Sequence, residues 1–142
     1  ILPSEKAFAY KMKLDAMKRQ AGRPSKNLSP LATDLIGKRS DEILGEQVGE
    51  SKDQIRRYIR LTDLIKPILD MVDDKKIALR PAVELSYLSQ DQQEMLLDTM
   101  RLQDCTPSHA QAIKFRKFAE EGRLNEDVIL SIMSEEKGNQ KE

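Results

Sequence analysis

Between Asp41 and Leu61 the chain reads DEILGEQVGESKDQIRRYIRL, two short helical patterns separated only by Gly49, Glu50 and Ser51. So short a break restricts the segment to two helices crossing through a tight turn, a helix-turn-helix. Ser40 opens the first helix, with Asp41 and Glu42 where the helix dipole favours anions. Gly49 ends it. Ser51 opens the second, and Gln54 three residues on completes an S-x-x-Q capping box. Gly45 falls at the crossing, where a larger side chain would hold the helices apart, and Gly49 supplies the positive φ that the turn favours. Ile55 is the β-branched anchor, and Leu44, Val48 and Tyr58 fill the other inward places. Glu50 departs from the pattern, since an apolar residue commonly follows the turn glycine in this motif.

The second helix divides into two faces. With Lys52 as origin and 100° per residue, Arg56 lies at about 40°, Arg60 at about 80° and Arg57 at about 140°. Ile55, Tyr58 and Leu61 take the opposite side, between about 180° and 300°, while Ile59 intrudes near the basic edge. A helix that buries one face and offers a basic one suits the DNA major groove, where arginine can fork to guanine or clamp phosphate. The competing reading is a solvated face, its arginines paired to Glu46, Glu50 and Asp53. The preceding turn and the matching inward places favour DNA. Ser51, Lys52, Gln54, Arg56, Arg57 and Arg60 are therefore the expected readers or clamps. Arg23, Lys26, Lys38 and Arg39 are expected as auxiliary phosphate contacts.

Charge supports this division. The chain holds 24 Lys/Arg and 24 Asp/Glu, yet residues 1–66 carry net +5 and residues 67–142 net −5. Aromatic residues make up 4% and tryptophan is absent, so the cores must be built from Leu, Ile, Val, Met and Ala. With helix formers dominant and β-branched runs missing, the chain reads as all-α: a lead helix, a basic linker, the helix-turn-helix, and a helical C-terminal half. The expected divisions are 1–39, 40–102 and 103–142. The lead helix is capped by Ser4 and runs to Gln20. AGRPSKNLSP then forms the linker; its Gly22-Arg23-Pro24 is only half of a minor-groove hook, because Ala21 stands where the first arginine would be. Downstream, Pro67 and Pro81 each enter a helix, the first continuing to Lys76. Ser89 opens another with a second S-x-x-Q box. Thr106-Pro107 caps a helix ending at Gly122, Asn125 caps the last, and GNQKE is a polar tail expected to lack structure.

Catalytic and metal chemistry find no support. Cys105 is the single cysteine and His109 the single histidine. Both lie at a helix start without an orienting third group, so each reads as structural or surface. Adjacent carboxylates such as Glu120-Glu121 diverge by about 100° on a helix and cannot act as one acid/base pair. No enzyme and no cofactor are expected. The longest apolar run, VILSIM, is too short to span a bilayer, and a reducing cytoplasm suits one lone thiol. Ile1 at the start fits a fragment of a longer protein. The apolar sets Met95/Leu96/Met100, Ile113/Phe115/Phe118 and Val128/Ile129/Ile132/Met133 fit internal packing or a partner surface equally.

Three stretches in order resemble the central DNA-binding domain of the ParB/KorB family of plasmid and chromosome partition proteins. LPSEKAFAYKMKLDAMK resembles the helix after the family's nucleotide-binding region. RSDEILGEQVGESKDQIRRYIRLTDLIKPILDMVDDKKI resembles its helix-turn-helix and the segment leading out, and ALRPAVELSYLS a further helix that docks the domain on its site. In that last stretch Arg80-Pro81-Ala82 stands where many members have Gly-His-Ala, so no DNA contact is carried over to Arg80. Residues 103–142 carry no match. The resemblance implies binding of a palindromic, centromere-like DNA site by a homodimer, nucleoid association, and a partition ATPase as partner. It places CTP binding in motifs N-terminal to these residues. The alternatives are a helical protein-interaction adaptor, or a transcriptional regulator without a partition role.

Overall fold

The computed structural model describes residues 1–22 and 42–139. The lead helix runs two residues past Gln20, so Ala21 and Gly22 of the expected linker are helical; the rest of the linker lies outside the described residues. Among the described residues the protein is all-α, without a strand, as the composition requires. The chain divides into two compact units, Ile1–Ile59 and Arg60–Glu142.

The first unit holds α1 (Pro3–Gly22), α2 (42–48) and α3 (Lys52–Arg60) up to Ile59. Pro3 opens α1, so Ser4 lies inside the helix rather than capping it. A proline ring already holds the φ of a first helical position and has no N–H to satisfy there. Tyr10 and Leu14 of α1 join Leu44 of α2 and Ile55 of α3 in one buried cluster, with Met17, Val48, Tyr58 and Ile59 packed against it. Tyr10 and Tyr58 meet edge to face, ring centroids 5.9 Å apart. Burying the fully enclosed Ile55 contributes about 1.5–3 kcal/mol. Ile59, expected at the edge of the basic face, packs on this core instead.

In the second unit a 3-10 turn (Leu61–Asp63) leads to α4 (Lys66–Asp73), α5 (Leu79–Leu85), α6 (Gln90–Gln103), α7 (His109–Glu120) and α8 (Glu126–Asn139). Helix α4 stops three residues before Lys76, because Lys75 turns left-handed at φ 63°. Helix α5 packs on α7, α6 on α8 and α4, and α7 on α8. Leu96, Met100, Phe115, Ile129, Ile132 and Met133 are buried among them, whereas Ile113 stays 45% exposed. The helical apolar sets thus serve mainly internal packing.

Capping decides the helix boundaries. Ser89 and Gln92 form the expected box at α6. At α7 the cap is Ser108, not Thr106: Ser108 and Gln111 make a second reciprocal box, while the Thr106 hydroxyl donates to the Lys76 carbonyl at 3.2 Å. Three residues beyond Thr106 stands His109, and only Gln111, three beyond Ser108, returns the second bond. Asn125 caps α8 by accepting from the Val128 N–H at 2.9 Å. That helix continues through Gly138 and Asn139 of the polar tail; residues 140–142 lie outside the described residues.

Candidate nucleic-acid interface

The turn between α2 and α3 is built on two glycines. The Gly45 carbonyl accepts from the N–H groups of Gly49 (2.8 Å) and Glu50 (3.0 Å). A Cβ at position 45 would collide with the Glu50 carbonyl oxygen, so the crossing tolerates no side chain there. Gly49 adopts φ +77°. The Ser51 hydroxyl then accepts from the Gln54 N–H at 3.2 Å, starting α3 where its sequence places it.

Glu50, the residue out of pattern, is accounted for by α1. Lys6 Nζ donates to its carboxylate at 3.2 Å and lies 5.1 Å from the Tyr58 ring centroid. The hydrogen bond to Glu50 holds the Lys6 ammonium above its ordinary pKa. Burial first, and then the neighbouring Glu50 carboxylate, push the Tyr10 phenol upward as well. A charge at the edge of the turn is thus matched by a lysine that the lead helix supplies.

On α3, Ser51, Lys52, Asp53 and Arg56 are exposed, Gln54 and Arg57 half-buried, and Ile55 fully enclosed. Lys52 pairs with Glu42 of α2 at 3.4 Å, both side chains nearly half exposed. Such a solvated pair contributes about 0–1 kcal/mol and yields readily to a stronger anion. Arg57 donates to the Gln54 side-chain oxygen at 3.1 Å. That bond orients a guanidinium and an amide together, leaving the Gln54 NH2 group pointed away from the arginine. Lys52, Arg56 and Arg57 therefore come together on one accessible helix with Gln54, a set chemically suited to phosphates and base edges.

Arg60 is placed differently. It belongs to the second unit, where it pairs with Asp63 (2.9 Å) and donates to the Ser86 hydroxyl (3.1 Å) and carbonyl (2.9 Å). Its guanidinium also lies 3.9 Å from the Tyr87 ring centroid. Asp63, at i+3, is a partner the sequence could have offered; Ser86, 26 residues on, and the Tyr87 ring had no local signal.

Arg23, Lys26, Lys38 and Arg39, with Ser40 and Asp41, lie outside the described residues. Arg80 is exposed near the start of α5, His109 is exposed at the start of α7, and Cys105 is a half-buried free thiol. No group of three or more potential metal ligands occurs among the described residues. No described helix is long and apolar enough to cross a membrane.

Compared with known families, residues 35–113 match the ParB HTH domain. The match takes in α2 and α3 and runs into α7. No curated protein and no solved structure matches the chain.

Proposed function

Because the chain belongs to the ParB helix-turn-helix family, a family of DNA-binding domains, we propose that it reads a palindromic, centromere-like double-stranded site in plasmid, chromosome or mobile-element partition. One observation supports the reading above others: Lys52, Arg56 and Arg57 reach the surface on a helix whose other face is anchored by Ile55 and held behind a glycine turn. Helix α3 enters the major groove; Arg56 and Arg57 fork to guanine or clamp phosphate, and Lys52 at the helix start reaches backbone phosphate. Ser51 and Gln54 sit at the same end, where Gln54 can turn its amide to a base. Arg23, Lys26, Lys38 and Arg39 add phosphate contacts. A palindrome calls for a two-fold symmetric reader, so the functional form is a homodimer, nucleoid-associated and partnered by a partition ATPase.

The test is a selection of random duplexes on the purified chain at about 150 mM salt, where nonspecific phosphate binding is weak. An enriched palindrome is expected. Replacing Arg56 and Arg57 together by alanine should then cost about 1–3 kcal/mol per base-contacting arginine and flatten the selectivity. Absence of enrichment, with residual binding that vanishes in salt, would transfer the basic face to an acidic protein partner and make the chain an adaptor. An enriched site lying in promoters rather than near a partition locus would make it a regulator.

A further inference from the structure

By position Arg60 lies between Arg56 and Arg57 on the helical wheel, and would be counted with them as a reader. Its surroundings assign it elsewhere. Tyr87 carries two guanidiniums: Arg60 at 3.9 Å and Arg116 at 3.6 Å from its ring centroid. Two groups that close to one centroid cannot share a face, so the ring is sandwiched between them. Each arginine is held from outside the sandwich as well. Arg116 pairs with Glu84 and Glu120, both at 3.0 Å, and these bonds overcome the burial that opposes its charge. Arg60 uses Nη1 on Asp63, and Nε and Nη2 on Ser86. Every nitrogen of its fork thus has a protein partner, and one face of the fork is covered by a ring.

We propose that Arg60 is a positioning residue for DNA reading, and that Lys52, Arg56 and Arg57 make the contacts. This rests on the DNA-reading function proposed above. Arg60 is the residue at which α3 ends, and its side chain is held by Ser86 and Tyr87 within the second unit. Leaving it to grip a phosphate would break the Asp63 pair, two hydrogen bonds and a ring stack together. A lysine cannot take its place, because an ammonium has neither the flat face nor the forked donors.

The experiment compares the intact chain with Arg60→Lys, Arg60→Ala and Tyr87→Leu on the selected duplex and on a scrambled one, across salt. All measurements are made well below each variant's melting temperature. Tyr87→Leu removes the stack without altering α3, so it judges the proposal even where Arg60→Ala folds poorly. All three variants are expected to lose about tenfold in preference for the selected duplex, comparable to one mismatched base pair. Affinity for the scrambled duplex, and the slope of log K against log salt, should stay as in the parent. A slope reduced by about one phosphate in Arg60→Ala and restored in Arg60→Lys would make Arg60 a clamp and overturn the proposal. Unchanged selectivity with only a lower melting temperature would reduce the sandwich to a structural brace, and equally overturn it. A parent chain that selects no duplex removes the function and this inference together, which separates that failure from the other two.

Discussion

A methyl group at position 45 would meet the Glu50 carbonyl oxygen, a backbone atom that cannot swing aside. Two effects oppose each other there. Alanine is the better helix former by about 1 kcal/mol, but overpacking costs about 1–3 kcal/mol. Overpacking wins. Gly45→Ala is expected to lower the unfolding free energy of the first unit by up to about 2 kcal/mol in a urea titration. Gly49→Ala should cost about as much for a different reason. The added methyl meets nothing, yet φ +77° is strained for any residue with a Cβ. Asparagine at position 49, which tolerates that region better, should recover part of the loss, whereas asparagine at 45 should not. A midpoint unchanged in Gly45→Ala would mean that the helices can separate at little cost.

At the scale of elements, α1 does more than precede the helix pair. It supplies half of the buried cluster, and its Lys6 matches Glu50 at the turn. Lys6 and Tyr10 both hold their protons more tightly in the folded chain than in the unfolded one. The sign follows directly: their contribution is complete below the unfolded values near 10.5 and 10.0 and is lost as pH rises through the higher folded values. Melting of the first unit should therefore be level from pH 8 to about pH 10 and fall beyond it. Glu50→Gln removes the carboxylate that raises both groups, and should make that alkaline fall shallower. Identical alkaline profiles for parent and Glu50→Gln would show that α1 is held by its apolar contacts alone.

Across the whole molecule, the second unit relies on a buried amide that has no counterpart among the described residues of the first. Gln93, 1% exposed, accepts from the Ile65 N–H at 2.8 Å and donates to the Asp63 (3.1 Å) and Leu88 (3.0 Å) carbonyls. One side chain thus satisfies the backbone at the end of the 3-10 turn and at the start of α6. Gln93→Leu fills similar volume but leaves those three groups unpaired, and each buried unsatisfied group costs about 1–3 kcal/mol. The expected total is about 2–5 kcal/mol, allowing for relaxation around the site. Hydrogen exchange is the suitable measurement, because it reads each unit separately. Amides of α6 and α4 should lose protection while those of α2 and α3 keep theirs. Retained protection in α6 would mean that water replaces the amide.

The all-α class, the glycine turn, the start of α3 at Ser51, the Ser89 box and the Asn125 cap were all legible in the sequence. Each depends on bonds spanning only three to five residues, so neighbouring letters suffice to specify it. The choice of Ser108 over Thr106 was legible too, through Gln111, although a proline-linked threonine obscured it. What only the tertiary structure decided are the partners of side chains whose local pattern permits several uses. Glu50 finds Lys6 at a separation of 44 residues, Arg60 finds Ser86 at 26, and Gln93 finds Ile65 at 28. A helical wheel places Arg60 among the readers because it records direction around one axis and nothing beyond it. The Asp63 carboxylate is a near neighbour on the chain, but whether that charge also meets a carbonyl and a ring depends on how distant helices pack, and packing is a property of the folded chain.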